Sequence, residues 1–201
     1  MCGITGKFNY HSLEPVPGHL ITQMCNELRH RGPDDMGTYT HGPVGLGHTR
    51  LSILDLSPLG HQPMAGGDKR FWITFNGDIY NFLSLRKDLI TRGHRFKSEC
   101  DTEVLLALYQ EYGSKCVNYL RGMFAFAIWD SREKTLFLAR DRIGKKPLYY
   151  YDDGKTFIFA SEIKSIVIDP DVKKEINPEA FYDYFKYLYI PDPKTIYKSI
   201  Y

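Results

Sequence analysis

A cysteine stands at the second position of the chain, directly before a glycine, in the run Met1-Cys2-Gly3. If Met1 is removed, Cys2 carries both a thiol and a free α-amino group on one Cα atom. Reference pKa values are about 8.5 for the thiol and about 7.7–8.0 for the amine, so the amine can accept the thiol proton near neutral pH. A nucleophile beside an N-terminal amine is a known route to covalent catalysis. The alternative is that Cys2 packs as a small hydrophobic residue at the start of a strand.

Three further positions carry groups that a thiol nucleophile would need. Arg50 lies in an apolar run, where an arginine pairs with a carboxylate, and a carboxylate of the protein itself is the default partner. Asn76-Gly77 offers a side-chain amide and a backbone N–H, which are the parts of an oxyanion hole. Asp101 opens a predicted helix, so its alternative role is capping. Together these groups match the carboxylate, carboxamide and ammonium of glutamine.

Predicted helices and strands must position these residues. Their order along the chain indicates an α+β protein of packed antiparallel sheets covered by helices. Amphipathic spacing predicts the helices, and β-type apolar runs predict the strands. Helices are expected over residues 19–29 and 82–92, from an opening at 98–103, and over 178–188 with an Asn177 cap; strands are expected over 4–10, 44–53 and 70–75. In this interpretation, Asn76-Gly77 ends a strand and precedes a helix.

The second half of the chain holds four short apolar or aromatic runs separated by turn residues. They cover residues 123–129, 135–139, 148–151 and 157–160. Their spacing predicts one antiparallel meander whose strands are largely buried on both faces.

Composition excludes several classes of function. The 201 residues are 43% hydrophobic and 25% charged, with a net charge of +2 and no basic stripe, so nucleic acid is not an expected partner. The seven histidines have no metal-ligand spacing, which predicts no metal site. The four cysteines form no CxxC pair, and no run has the length of a signal peptide or a membrane span. We therefore expect no membrane association and a reducing, cytoplasmic setting.

Motifs along nearly the whole chain resemble the N-terminal glutaminase domain of asparagine synthetase. That domain is a class II glutamine amidotransferase of the N-terminal-nucleophile hydrolase superfamily. The segments that carry the resemblance are 2–4 (CGI), 29–34 (RHRGPD), 47–53 (GHTRLSI), 62–64 (QPM), 75–81 (FNGDIYN), 101–103 (DTE), 122–126 (GMFAF) and 139–149 (ARDRIGKKPLY). The resemblance implies a four-layer αββα sandwich and a glutamine amidotransferase domain over residues 1–190.

The resemblance also implies a role for each candidate residue. Cys2 is the implied nucleophile, with its freed α-amino group as the base, and Asn76 and Gly77 line the oxyanion hole. The implied substrate-binding residues are Arg50, Leu51, Ile53, Asn76, Gly77, Asp78 and Asp101. Among these, Arg50 holds the glutamine carboxylate and Asp101 its ammonium. The family pattern reads Asn-Gly-Glu, so Asp78 is one methylene shorter than the usual residue.

The implied reaction releases ammonia from glutamine through a γ-glutamyl thioester. This domain needs no cofactor, whereas ATP and Mg are expected for a synthetase domain that uses the ammonia to amidate aspartate. No pyrophosphate-binding loop occurs in the chain, so residues 191–201 are interpreted as the start of a connection to that domain. A homodimer is compatible with the resemblance. The alternatives are a relative that amidates another carboxylate, such as a cell-surface or antibiotic precursor, and a regulatory module without catalysis.

Overall fold

The computed structural model describes all residues from Met1 to Tyr201. The chain forms nine strands and five α-helices, with short 3-10 helices at Pro58–Gly60 and Gly113–Asn118. The strands are β1 (Gly3–Phe8), β2 (Asp35–His41), β3 (Val44–Arg50), β4 (Met64–Ala65), β5 (Phe71–Ile79), β6 (Gly122–Asp130), β7 (Thr135–Arg140), β8 (Tyr149–Asp152) and β9 (Phe157–Ala160). The helices are α1 (Gly18–Asn26), α2 (Phe82–Thr91), α3 (Asp101–Tyr112), α4 (Ile163–Ile166) and α5 (Pro178–Tyr187).

The first sheet has five antiparallel strands in the order β2-β3-β1-β9-β8. Its central strand is β1, which begins directly after Cys2. The register pairs Gly3 with Thr49, so one step further along the two strands Cys2 lies beside Arg50. The pairing of β1 with β3 therefore brings two predicted site residues together at one end of the sheet.

The second sheet has four antiparallel strands in the order β4-β5-β6-β7. Successive β6 residues alternate between two apolar environments, as the period-2 geometry of a strand requires. Ala125, Ala127 and Trp129 belong to a core cluster that also contains Ile4 and Leu46 of the first sheet. The two sheets therefore pack face to face through these side chains.

Helices cover the outer face of each sheet. On the first sheet, Leu20 and Ile21 of α1 share a core cluster with Ile158 of β9. On the second, α2 and α3 share a cluster with alternate residues of β5 and β6, including Phe126. Full burial of a side chain of this kind contributes about 1.5–3 kcal/mol. The predicted four-layer αββα architecture is confirmed.

The expectation of one four-stranded meander is wrong. The strands β6 and β7 belong to the second sheet, whereas β8 and β9 pair with each other and with β1 in the first. The segment between Arg140 and Tyr149 carries the chain from one sheet to the other. Nor are these strands all buried on both faces, since β7 and β8 contain exposed residues. Short apolar runs specify strands but not the sheet in which each one pairs.

Several predicted boundaries also differ. The strand β5 continues through Asn76 and Gly77 to Ile79 and pairs with β6 throughout, so the expectation that Asn76-Gly77 ends this strand is wrong. The helix α1 ends at Asn26, before the predicted boundary. The prediction missed β2, an edge strand whose polar, glycine-containing sequence lacks an apolar face. The predicted Asn177 cap of α5 is confirmed, because its side chain accepts the N–H of Glu179 at 3.1 Å.

The last residues of the chain fold back onto the first sheet. Tyr201 and Tyr150 exchange two backbone hydrogen bonds of 2.8 and 2.9 Å, and the Ile200 side chain is buried in the cluster beneath α1. The division of the chain at residue 190 stays a prediction.

Candidate active site

One cleft, with about 620 Å³ of space that opens to solvent, brings together every residue that was predicted to act on substrate. It lies where the start of β1 and the end of β3 approach β5 and α3. The predicted residues that line it are Cys2, Arg50, Leu51, Ile53, Asn76, Gly77, Asp78 and Asp101. These residues are up to 99 positions apart in the chain, so the fold has collected them.

The backbone of Leu51 holds the Cys2 thiol in place. Its Sγ accepts the Leu51 N–H at 3.4 Å and lies 3.7 Å from the Leu51 carbonyl oxygen. Arg31 donates from Nε to the Cys2 carbonyl at 3.0 Å. Gly3 permits this placement, because a Cβ atom there would lie 2.6 Å from Oγ1 of Thr49 and 2.8 Å from Cβ of Leu28.

Burial raises the pKa of the Cys2 thiol above its ordinary value. The Leu51 contact, the chain's N-terminal ammonium, and the cations of Arg50 and Lys146 oppose this effect only in part. A thiol in this position is therefore mainly protonated near neutral pH and needs a base to become a nucleophile. Removal of Met1 would put an amine on the same residue.

Arg50 ends β3 with its side chain buried. Its guanidinium donates to three carbonyls of the following loop: those of Leu54 at 3.4 Å, Ser57 at 3.1 Å, and Asp55. It forms no ion pair, so the default expectation that it pairs with a carboxylate of the protein is wrong. A guanidinium has five N–H donors, which leaves two of them without a protein partner.

The Asn76 side chain is buried, yet its amide nitrogen has no hydrogen-bond partner. A buried donor without a partner costs about 1–3 kcal/mol relative to a satisfied one. The position of this donor in a cleft with a thiol suits an oxyanion, which would supply the missing acceptor.

The free edge of β5 offers a second donor beside it. N–H groups of alternate residues in a strand point to the same edge, and β4 covers only the first part of β5. Beyond β4, the Phe75 N–H donates to Oε1 of Gln62 at 2.7 Å, and the Ile79 N–H donates to Oδ2 of Asp101 at 3.0 Å. The Gly77 N–H lies between them on this edge and meets no strand or side chain.

Asp101 is the first residue of α3, and Cys100 occupies the N-cap. Burial raises the pKa of Asp101 to about 6, and the nearby carboxylate of Asp78 adds to this effect, although the hydrogen bond from Ile79 opposes it. A buried carboxylate with a raised pKa has too few positive partners. A ligand ammonium in the cleft would supply one.

Two residues of the cleft were absent from the predicted site. Gln62 bridges β5 and α3, because its amide also donates to Oγ1 of Thr102 at 3.2 Å. Lys146 is buried in the turn after β7 and lines the same cleft as Cys2. Both belong to segments that carry the family resemblance, but only the fold shows that they reach the site. No group of three or more His, Cys, Asp or Glu side chains is arranged to hold a metal ion, and no helix is long and apolar enough to cross a membrane.

The fold and the cleft define a class of protein. A thiol at the start of a central strand, two hydrogen-bond donors without a protein partner, a guanidinium and a buried carboxylate are groups that an amide hydrolase with an N-terminal nucleophile would need. Comparison with known families agrees with this geometry, because a glutamine amidotransferase domain matches residues 1–201. The chain belongs to the glutamine amidotransferase domain family.

Two relatives match this chain along nearly its whole length. Asparagine synthetase (glutamine-hydrolyzing) 1 of Bacillus subtilis is 43% identical over 199 residues, which cover 98% of this chain and 31% of the relative. A putative asparagine synthetase (glutamine-hydrolyzing) of Methanocaldococcus jannaschii is 40% identical, over 99% of this chain and 42% of the relative. The chain therefore spans well under half the length of these relatives.

A solved structure confirms the fold from a more distant relative. The glutamine phosphoribosylpyrophosphate amidotransferase from B. subtilis, in complex with ADP and GMP, superposes with a TM-score of 0.70 at 21% identity. The match covers 83% of this chain and 43% of that chain. At this identity the likeness concerns the fold alone.

Proposed function

We propose that this chain hydrolyses the side-chain amide of L-glutamine to glutamate and ammonia, with Cys2 as the nucleophile after removal of Met1. The observation that carries the proposal is the buried, unpartnered amide nitrogen of Asn76 in the cleft that Cys2 lines. Membership of the glutamine amidotransferase domain family supports the same reaction.

The first half of the reaction breaks the amide bond. The α-amino group of Cys2 accepts the thiol proton, and Sγ attacks the carboxamide carbon of glutamine. The carbonyl oxygen becomes an oxyanion that accepts hydrogen bonds from Nδ2 of Asn76 and the N–H of Gly77. When the C–N bond breaks, the ammonium of Cys2 returns its proton to the departing nitrogen. Ammonia leaves, and a γ-glutamyl thioester remains.

The second half restores the enzyme. Water gives one proton to the α-amino group and attacks the thioester carbon through the same oxyanion hole. The C–S bond breaks, Sγ regains its proton, and glutamate leaves. Oxidation states do not change, and no cofactor is required.

Substrate recognition uses charges at the walls of the cleft. The two donors of Arg50 without a protein partner suit the α-carboxylate of glutamine. Asp101 and Asp78 provide negative charge for its α-ammonium, and the raised pKa of Asp101 indicates that such a charge is missing from the unliganded cleft. Leu51 and Ile53 line the same cleft beside Arg50.

In the full-length protein, we propose that the ammonia serves an ATP-dependent synthetase that converts aspartate to asparagine. The printed names of the relatives support this acceptor. ATP and Mg would bind in that further part of the protein rather than in the cleft of this domain. We also propose a cytoplasmic setting, which the four free cysteines support. A homodimer stays a prediction.

Glutamate release from glutamine tests the proposal directly. The purified chain, with removal of Met1 verified by mass spectrometry, is expected to release glutamate. Cys2→Ser and Cys2→Ala should each lower kcat by more than about 10⁴-fold, because the nucleophile is lost or weakened. Cys25→Ala is the matched control, since that cysteine is buried beneath the first sheet. Full activity of Cys2→Ala, or none in the native chain, would refute the proposal.

The acceptor requires a separate experiment on the full-length protein. With ATP, Mg and ¹⁵N-amide glutamine, aspartate should become ¹⁵N-asparagine. Label in another carboxylic acid, with aspartate unchanged, would assign a different acceptor and leave the glutaminase reaction intact.

A further inference from the structure

Lys146 is a buried lysine with no anionic partner. Its residue is only 6% exposed, and Nζ takes part in no ion pair and no hydrogen bond, unlike the equally buried Lys7, whose Nζ lies 2.6 Å from Asp169. The aliphatic stem is buried, whereas Nζ is not among the buried atoms without a partner, so the ammonium reaches the open cleft. The side chain lines the cleft that contains Cys2, so its missing partner is to be sought there.

The turn that carries Lys146 is fixed by its own hydrogen bonds. Asp141 accepts the N–H of Lys146 at 3.0 Å and that of Lys145 at 2.8 Å. Arg140 donates to the carbonyls of Lys146 at 2.7 Å and Gly144 at 2.8 Å. Gly144 has φ +65°, and a Cβ atom there would lie 2.8 Å from the Arg140 guanidinium. The backbone therefore holds Lys146 in place without help from its ammonium.

The negative groups of the cleft leave this ammonium free. Asp78 and Asp101 line the cleft, but neither lies within ion-pair distance of Lys146. The protein group of this cleft that can become an anion beside Lys146 is the Cys2 thiol, whose pKa the charge of Lys146 lowers. The thiolate exists only after proton transfer, so the Lys146 ammonium would have this partner only during the reaction.

We propose that Lys146 is an electrostatic positioning residue of the glutaminase site, whose ammonium at the wall of the cleft stabilises the Cys2 thiolate. The inference rests on the proposed nucleophilic role of Cys2. It assigns to the turn between the two sheets a share in activating the nucleophile.

Other charged groups line the cleft or contact Cys2 and must stay constant in a test. They are the N-terminal ammonium, Arg50 at the end of β3, Arg31 at the Cys2 carbonyl, and Asp78 and Asp101 from the second sheet and α3. The thiol and the α-amino group of Cys2 titrate as a pair, so an apparent pKa of the pair is the quantity to compare.

Alkylation of Cys2 by iodoacetamide as a function of pH measures this apparent pKa without substrate. Peptide mass spectrometry separates Cys2 from the three buried cysteines. In Lys146→Met, the apparent pKa of alkylation should rise by about one unit, and the alkylation rate at pH 7 should fall about tenfold. Lys146→Arg keeps the positive charge and should restore most of the rate. Lys145→Met is the matched control, because it removes the same charge from an exposed position of the same turn.

Glutamine hydrolysis provides a second readout. In Lys146→Met, kcat/KM at pH 7 should fall about tenfold with its acid limb shifted upward, while KM stays close to that of the native chain. An unchanged alkylation profile in Lys146→Met, or an equal shift in Lys145→Met, would overturn the inference and leave the proposed glutaminase reaction standing. Loss of glutamine hydrolysis in the native chain would refute the proposed function, whereas the alkylation comparison would still decide the role of Lys146.

Discussion

The two sheets supply opposite kinds of groups to one cleft. On the side of the first sheet, the protein satisfies its own groups: the Leu51 N–H meets the Cys2 thiol, and the Arg50 guanidinium meets three loop carbonyls. On the side of the second sheet, the Asn76 amide nitrogen has no partner, and Asp101 is buried with a raised pKa. The first wall is mostly paired internally, whereas the second wall keeps a buried donor without a partner.

This difference means that one wall fixes the positions of its side chains, whereas the other keeps its hydrogen-bonding capacity for a ligand. Internal hydrogen bonds fix Cys2 and Arg50 before substrate arrives, at the cost of donors that substrate could have used. The Asn76 donor on the second sheet makes no internal hydrogen bond, so its full interaction energy is available to a ligand. The pairing of β5 with β6 fixes the backbone that carries this donor. Changes on the two walls should therefore affect different measured quantities.

The largest effect after loss of Cys2 is expected at Asn76. Asn76→Ala should lower kcat by about 10²–10³-fold with a small change in KM, because the lost donor acts on the oxyanion. The matched control is Asn81→Ala, which removes an amide that donates to the Tyr119 carbonyl at 2.9 Å and accepts from the Arg121 N–H. This control should lower thermal stability and preserve kcat. A stability loss in Asn76→Ala larger than that in Asn81→Ala would contradict the distinction between the two walls, because it would mean that Asn76 already stabilises the protein without a ligand.

Asp101 should control glutamine binding and its pH dependence. Asp101→Asn is expected to raise KM at pH 8 by at least about 30-fold, or about 2 kcal/mol, because the substrate ammonium loses a buried partner. In the native chain, KM should rise as pH falls below about 6, where the carboxylate becomes protonated. In Asp101→Asn, KM should not follow this titration. Steady-state kinetics between pH 5 and 8 compare the two, and parallel profiles would contradict the assignment.

The same pKa makes a prediction about stability. The folded chain holds the Asp101 proton up to a pKa of about 6, above the ordinary pKa of 3.8 for an aspartate. The unfolded chain releases this proton first, so the contribution to stability falls as pH rises through this interval and stays lost above it. Without glutamine, Asp101→Asn should therefore be at least as stable as the native chain at pH 8. Thermal unfolding at pH 4 and pH 8 measures the difference, and a lower midpoint for the variant at pH 8 alone would contradict it.

Arg50 should give a mixed result, because its guanidinium binds three loop carbonyls and is also proposed to bind the glutamine carboxylate. Arg50→Lys is expected to raise KM about tenfold, about 1.4 kcal/mol, since lysine cannot reproduce the guanidinium fork. It should also make the loop after β3 more sensitive to limited proteolysis. Arg70→Lys is the control, because that arginine forms a bidentate salt bridge with Asp130 of β6, in the second sheet. A change in KM without any change in proteolysis would show that the loop contacts are incidental.

Asp78 should give the smallest effect. Asp78→Glu restores the residue usual in the family pattern and should change KM by no more than about threefold, or less than about 1 kcal/mol. Asp88→Glu, in the solvent-exposed part of α2, is the control. A change in KM larger than that of Asp101→Asn would show that Asp78, rather than Asp101, makes the main contact with the substrate ammonium.

Local patterns were sufficient to predict most elements but not their assembly. The spacing of apolar residues identified α1 and α5, and the Asn177 cap was recognisable because capping depends on neighbours in sequence. The sheet to which each of the last four strands belongs depends on pairing with distant segments, which no local pattern reports. The strand β2 was not predicted, because this edge strand has a polar sequence without the alternating apolar residues by which the other strands were identified.

The sequence by itself determined the chemical types of the candidate site: a thiol at the second position, an arginine, an amide beside a glycine, and an aspartate. These follow from residue identity and from motifs that resemble a family. Only the tertiary structure decided which groups are already paired, since Arg50 uses three of its five donors on nearby carbonyls and the Asn76 amide nitrogen has no partner. It also decided that Lys146 lies buried in the same cleft as Cys2, because the register of strands and the burial of side chains arise from contacts between residues far apart in the chain.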